Sequence, residues 1–131
     1  MFTVGVSDHI MIAHSLRGET FGPAQRLHGA TYEVRVEILA PQVDADGIVA
    51  DIGLLRTVLR ETLGPLDLQN LDDLPQFASA NTTTEFLCQW VHTALARRLG
   101  PRPEAGLRVT LVESPNAWAA YEAPLVAAVE G

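Results

Sequence analysis

The chain has 131 residues, nearly half of them hydrophobic, and a formal net charge of −7. That length suits a single domain over residues 1–131 with one core. The acidic balance, with no Lys/Arg cluster stronger than Arg97-Arg98, argues against nucleic acid and against an anionic membrane surface.

From Phe2, alternate residues Val4, Val6, Asp8, Ile10, Ile12 and His14 share one face, the pattern of a half-buried strand. Arg17 to Ala24 carries two glycines and a proline, too long for a tight hairpin turn, and reads as a loop overhanging whatever His14 lines. A second strand follows, with His28, Ala30, Tyr32, Val34, Val36 and Ile38 inward. Two inward imidazoles meet if these strands pair. Spacing alone leaves them as core or pocket residues or as part of a metal or catalytic site, and zinc normally takes at least three protein ligands. Asp44-Ala45-Asp46-Gly47 begins like a calcium loop, but Leu55 stands where the bidentate glutamate belongs, so it reads as a turn.

A helix is expected from a cap at Asp51 through Leu55, Val58, Leu59 and Leu63 to Gly64-Pro65. The long connector 66–80, with Asn70, Asp72, Asp73 and Pro75, reads as a surface-wrapping or disordered stretch or as a functional segment. A second helix opens at Asn81-Thr82-Thr83-Thr84-Glu85, where Thr82 and Glu85 have capping-box spacing. Its stripe is Phe86, Leu87, Trp90, Val91, Ala94 and Leu95, which leaves His92 on the solvent side. A third strand puts Leu107, Val109, Leu111 and Glu113 on one face, so an acid ends an apolar row as a solvated strand end or a pocket floor. Pro115-Asn116 turns into a last strand near Trp118–Tyr121, and the apolar tail 125–129 suits an edge or a subunit contact. No leader or apolar span is visible, and the single cysteine, Cys88, excludes an internal disulfide, so a cytoplasmic location is expected.

These elements and several residues resemble the 6-pyruvoyl tetrahydropterin synthase and 6-carboxytetrahydropterin synthase family. The family shows Phe-x-Ala-x-His where this chain has Ile10-Met11-Ile12-Ala13-His14, and Cys-x-x-Leu-His-Gly-His where it has Ala24-Gln25-Arg26-Leu27-His28-Gly29-Ala30. A Leu-Asp-His motif appears as Leu66-Asp67-Leu68, and Pro-Thr-x-Glu as Thr82-Thr83-Thr84-Glu85. The late-strand glutamate that grips a pterin maps to Glu113.

The resemblance implies an α+β tunnelling fold: a four-stranded antiparallel sheet in ββααββ order, with two helices between strands two and three and subunits joined in a hexamer-like barrel. It further implies His14, His28 and Asp67 as catalytic residues, and Glu113, Thr83 and Glu85 as contacts to a heterocyclic small molecule. Zinc would sit on His14 and His28, an incomplete set, so the metal is expected to be weakly held or absent. The cysteine, a zinc-ligand histidine and the proton-transfer histidine are replaced by Ala24, Ala30 and Leu68. Such acid–base groups contribute roughly 10²–10⁴-fold each, so the usual family reaction is not expected. Two functions stay open, a divergent enzyme of lyase, cyclisation or isomerisation type and a non-catalytic binding or assembly protein.

Overall fold

The computed structural model describes residues 1–126. Strands β1 (Phe2–His14) and β2 (His28–Ala40) pair antiparallel along their whole length. Helix α1 (Ile52–Leu63), a two-residue β3 (Gln69–Asn70) and helix α2 (Thr84–Leu99) follow, then β4 (Arg102–Ser114) and β5 (Ala117–Leu125). The sheet order is β3-β1-β2-β4-β5, antiparallel except for β3 beside β1. The α+β class and the order of the main elements are as expected, while the four-stranded antiparallel sheet is corrected to a mixed sheet of five strands.

The extra strand arises from two bonds at the β1 edge. Asp67 Oδ1 accepts the N–H of Met11 at 3.0 Å, and the N–H of Leu68 donates to the Met11 carbonyl at 2.7 Å. Leu68 adopts a left-handed φ of 63°, an uncommon conformation for a non-glycine residue. Together these lay the connector along β1, where Gln69 and Asn70 pair with Ile12 and Ala13.

Both helices cover one face of the sheet. The residues buried there are the alternating ones read from the sequence: Ile10 and Ile12, Tyr32 through Ile38, and Leu107, Val109 and Leu111. Each fully buried side chain of this size contributes about 1.5–3 kcal/mol relative to exposure. Asp51 caps α1 by accepting the Leu54 N–H at 3.2 Å, and Leu55, Val58, Leu59 and Leu63 turn into the core. In the connector, Leu66, Leu71 and Phe77 are buried, with the Phe77 ring edge-on to Phe86 and Trp90. Asp44 turns as expected, its carboxylate accepting the N–H groups of Asp46 and Ile48. Of the apolar tail, Leu125 is buried at the end of β5, whereas 127–131 lie outside the described residues.

α2 buries a wider face than its sequence stripe indicated, because it lies across both β4 and β5. His92, expected at the solvent side, is only 6% exposed. Its Nε2–H donates to the Ala123 carbonyl at 3.4 Å and its ring packs edge-on against Tyr121. Cys88, one turn earlier, reaches the Ala119 carbonyl at 3.3 Å. Burial pushes the Cys88 thiol up, which withholds the reactive thiolate. Alkylation by iodoacetamide is therefore expected to follow global unfolding, and fast labelling of the folded protein would contradict this packing.

Candidate functional site

The β1–β2 register sets His14 directly opposite His28. Both side chains point to the helix-covered face, and their ring centroids lie 4.6 Å apart at 62°. They line a cavity of about 550 Å³, within the usual range for small-molecule sites. The segment expected as an irregular overhanging loop does overhang, but it is built of 3₁₀ turns over Glu19–Gln25, kinked at Gly22. Leu16 N–H donates to the Ala24 carbonyl at 3.0 Å to close it, and Gly18 and Gly22 supply the positive φ values it requires. Leu16, Phe21 and Ala24 roof the cavity.

Opposite the histidines stands the N-terminus of α2. Thr83 is its cap, accepting the Phe86 N–H at 3.1 Å, so the capping box expected between Thr82 and Glu85 is corrected by one residue. Three consecutive threonines offered no spacing to choose between them. Thr83, Thr84 and Glu85 line the cavity, as does Glu113. The Thr84 hydroxyl donates to Glu113 Oε1 and lies 3.4 Å from the Tyr32 hydroxyl, which forms a chain from the core to the carboxylate. Glu113 sits at a register break between Val112 and Ser114 in the β4–β5 ladder. Such a bulge re-aims a side chain, and here the carboxylate meets the helix N-terminus, whose dipole favours an anion. Sequence reading missed Thr84 and Tyr32 as its holders, and alternation has no sign for a bulge.

Asp67, expected among the catalytic residues, is not in the cavity lining. Its carboxylate accepts the Met11 N–H and pairs with Arg60 at 3.3 Å, a structural engagement at the β1 edge. Thr82, left free by the capping shift, is buried and meets His14 Nδ1 at 3.1 Å.

A zinc ion takes at least three protein ligands. His14 and His28 are two imidazoles, and the next inward position on β2 is the methyl group of Ala30. Among the described residues no three His, Cys, Asp or Glu side chains gather as a metal site requires. The residues of one chain do not fit the group.

Burial, then the charge that His28 acquires when protonated, holds the His14 imidazole below its ordinary value of 6.5, and burial lowers His92 from the same value. Such a histidine takes up its proton more readily unfolded than folded. Stability is thus fully present above about pH 6.5 and falls as pH drops through the lowered folded values. The melting temperature is expected to be lower at about pH 5 than at about pH 7.5, with His92→Gln narrowing the gap. An unchanged melting temperature across that window would contradict the assignment.

Residues 3–124 match the 6-pyruvoyl tetrahydropterin synthase family. A sequence relative, the 6-carboxy-5,6,7,8-tetrahydropterin synthase of Bacillus subtilis (strain 168), is 24% identical over 127 residues, covering 92% of this chain and 84% of its own. Among solved structures, the 6-pyruvoyl tetrahydropterin synthase of Caenorhabditis elegans aligns with a TM-score of 0.81 at 26% identity, over 93% of this chain and 95% of that one. The Plasmodium vivax 6-pyruvoyltetrahydropterin synthase, as its E37A catalytic residue mutant, aligns at a TM-score of 0.75 and 18% identity, over 94% and 98%, which speaks to fold alone. With so much of its length matched, the chain belongs to the 6-pyruvoyl tetrahydropterin synthase family.

Proposed function

We propose that the cavity binds a planar, nitrogen-rich small molecule of pterin or purine type and carries out a proton-transfer step of lyase, cyclisation or isomerisation class on it, without a metal. The observation that carries this reading is a Glu113 carboxylate fixed by Thr84 at a helix N-terminus on the same cavity as a paired His14 and His28. A fixed carboxylate suits the N–H edge of an aminopyrimidine, and paired imidazoles suit acid–base work. Thr83 and Glu85 serve as further ligand contacts, and Asp67 serves the β1 edge rather than the reaction.

The usual family reaction is not proposed. Ala24 and Ala30 line the cavity where the family motif has a cysteine and a histidine, and Leu68 is an exposed side chain outside it. Two further readings go with this one. The outer edges of β5 and of most of β1 are unpaired among the described residues, and Phe2, Met11 and Trp118 are exposed, which supports assembly of copies edge to edge. No helix among the described residues is long and apolar enough to cross a membrane, and a free, buried Cys88 suits a reducing, cytoplasmic setting.

The test is calorimetric titration of the purified protein with pterin and with guanine, alongside chromatographic assay of pterin precursors using wild type and His28→Gln. Saturable binding with conversion that His28→Gln abolishes is expected. Binding without conversion selects a non-catalytic binding protein, and no binding of either heterocycle sinks the ligand assignment.

A further inference from the structure

The bonds that hold the two cavity histidines leave opposite groups on their free nitrogens. His28 Nδ1 lies 2.8 Å from the Arg26 carbonyl oxygen. A carbonyl only accepts, so Nδ1 carries the proton and neutral His28 has a bare Nε2. His14 Nδ1 instead meets the hydroxyl of Thr82, a residue 2% exposed. Among the described residues, that hydroxyl has no other hydrogen-bond partner. Were it to accept from His14, its own hydrogen would be buried with no acceptor, which is costly. The Thr82 carbonyl also faces the ring but falls outside hydrogen-bond geometry with it, so the hydroxyl decides: donating to a bare Nδ1 avoids that cost and leaves the His14 proton on Nε2.

Neither Nε2 atom has a partner among the described residues, yet no buried side-chain nitrogen or oxygen there goes unpartnered. Both Nε2 atoms are therefore accessible, on rings that line the cavity. The family motif has proline at the position of Thr82, a residue with no hydroxyl to offer. This contact belongs to the present chain.

We propose that Thr82 is a positioning residue that fixes His14 as its Nε2–H tautomer, so that the histidine pair offers one donor and one acceptor side by side. This deepens the functional reading above by naming the ligand group: a neutral acceptor beside a donor, such as the C=O/N–H edge of a cyclic amide or a hydroxy ketone. A carboxylate presents two acceptors and a metal ion requires two lone pairs, so both match the pair less well. In a proton shift beside a carbonyl, His28 Nε2 removes and returns the proton while the electron pair passes to the carbonyl oxygen. The N–H of His14 donates to that oxygen as it gains charge.

Two-bond ¹H–¹⁵N correlation spectra of the ligand-free full chain, recorded above neutral pH, read the tautomers directly. His9→Gln, His28→Gln and His92→Gln assign the rings and leave His14 by difference. The expected result is a proton-bearing Nε2 in His14 and a proton-bearing Nδ1 in His28. Thr82→Val is expected to turn His14 into a mixture of tautomers with His28 unchanged, and Thr82→Ser to keep the wild-type pattern. A proton-bearing Nδ1 on wild-type His14, or a Thr82→Val spectrum identical to wild type, overturns the proposal. Should Thr82→Val fail to fold, the wild-type spectrum alone decides. Because no ligand is present, this result stands apart from the binding titrations.

Discussion

Glu113→Gln is expected to weaken binding of pterin or guanine by about 10–100-fold, the loss of one or more charge-assisted hydrogen bonds at roughly 1.5–3 kcal/mol. Glutamine keeps the shape and an oxygen to accept the Thr84 hydroxyl, so the Tyr32–Thr84 chain is preserved and only the negative charge is lost. The melting temperature should stay close to wild type, since the side chain sits on an exposed bulge beside the β4–β5 turn. Glu113→Ala is the harsher change, because it strips the buried Thr84 hydroxyl of its acceptor and adds instability to lost binding. Titration calorimetry on the glutamine variant separates the two effects. Affinity within about twofold of wild type would remove Glu113 as the ligand anchor.

Ala30→His is expected to create zinc binding where the wild-type chain has little. Position 30 lies on the same face of β2 as His28, two residues on, and opens on the same cavity. An imidazole there gives three ligands and an open position, the composition of a catalytic zinc site. Elemental analysis of protein purified without chelator or affinity tag should find about one zinc per chain in the variant and far less in the wild type. Cobalt substitution should give visible absorption in the variant alone. If the wild type itself retains about one zinc per chain, lost in His28→Ala, then a ligand from a second copy completes the site and the metal-free reading fails.

Strand alternation carried most of the fold. It placed the buried residues of β1, β2 and β4, and it carried the meeting of His14 and His28, since inward positions at the facing ends of paired strands must come together. α1 was equally legible, from its Asp51 cap to its apolar stripe. Features without a period were not. β3 is two residues long and exists through bonds from Asp67 and Leu68 to Met11, partners more than fifty positions away. His92 is buried because α2 straddles two strands, which its own sequence cannot reveal. The cap fell on Thr83 while Thr82 meets His14, a division of labour that three adjacent threonines do not reveal. Asp67 matches its motif by residue, yet its carboxylate lies at the β1 edge with Met11 and Arg60, a placement that motif spacing alone does not show.

The roof of the cavity and the start of α2 are stitched together by one reciprocal contact. Asn81 Oδ1 accepts the Arg17 N–H at 2.8 Å, Asn81 Nδ2 donates to the Arg17 carbonyl at 2.9 Å, and the Arg17 guanidinium reaches the Ala80 carbonyl at 2.6 Å. Beside it, Ser15 donates to Asp72 through both its hydroxyl and its backbone N–H. The amide of Asn81 thereby imitates the backbone of a neighbouring strand. Residues sixty-four positions apart are held like rungs of one ladder. The consequence concerns tolerance to change: loop length is usually the freest variable in a domain, but a residue inserted or deleted between His14 and Arg17 would break this register and displace roof, threonine wall and histidine together. Change in this cavity is therefore channelled into exchanges of side chains on a fixed frame.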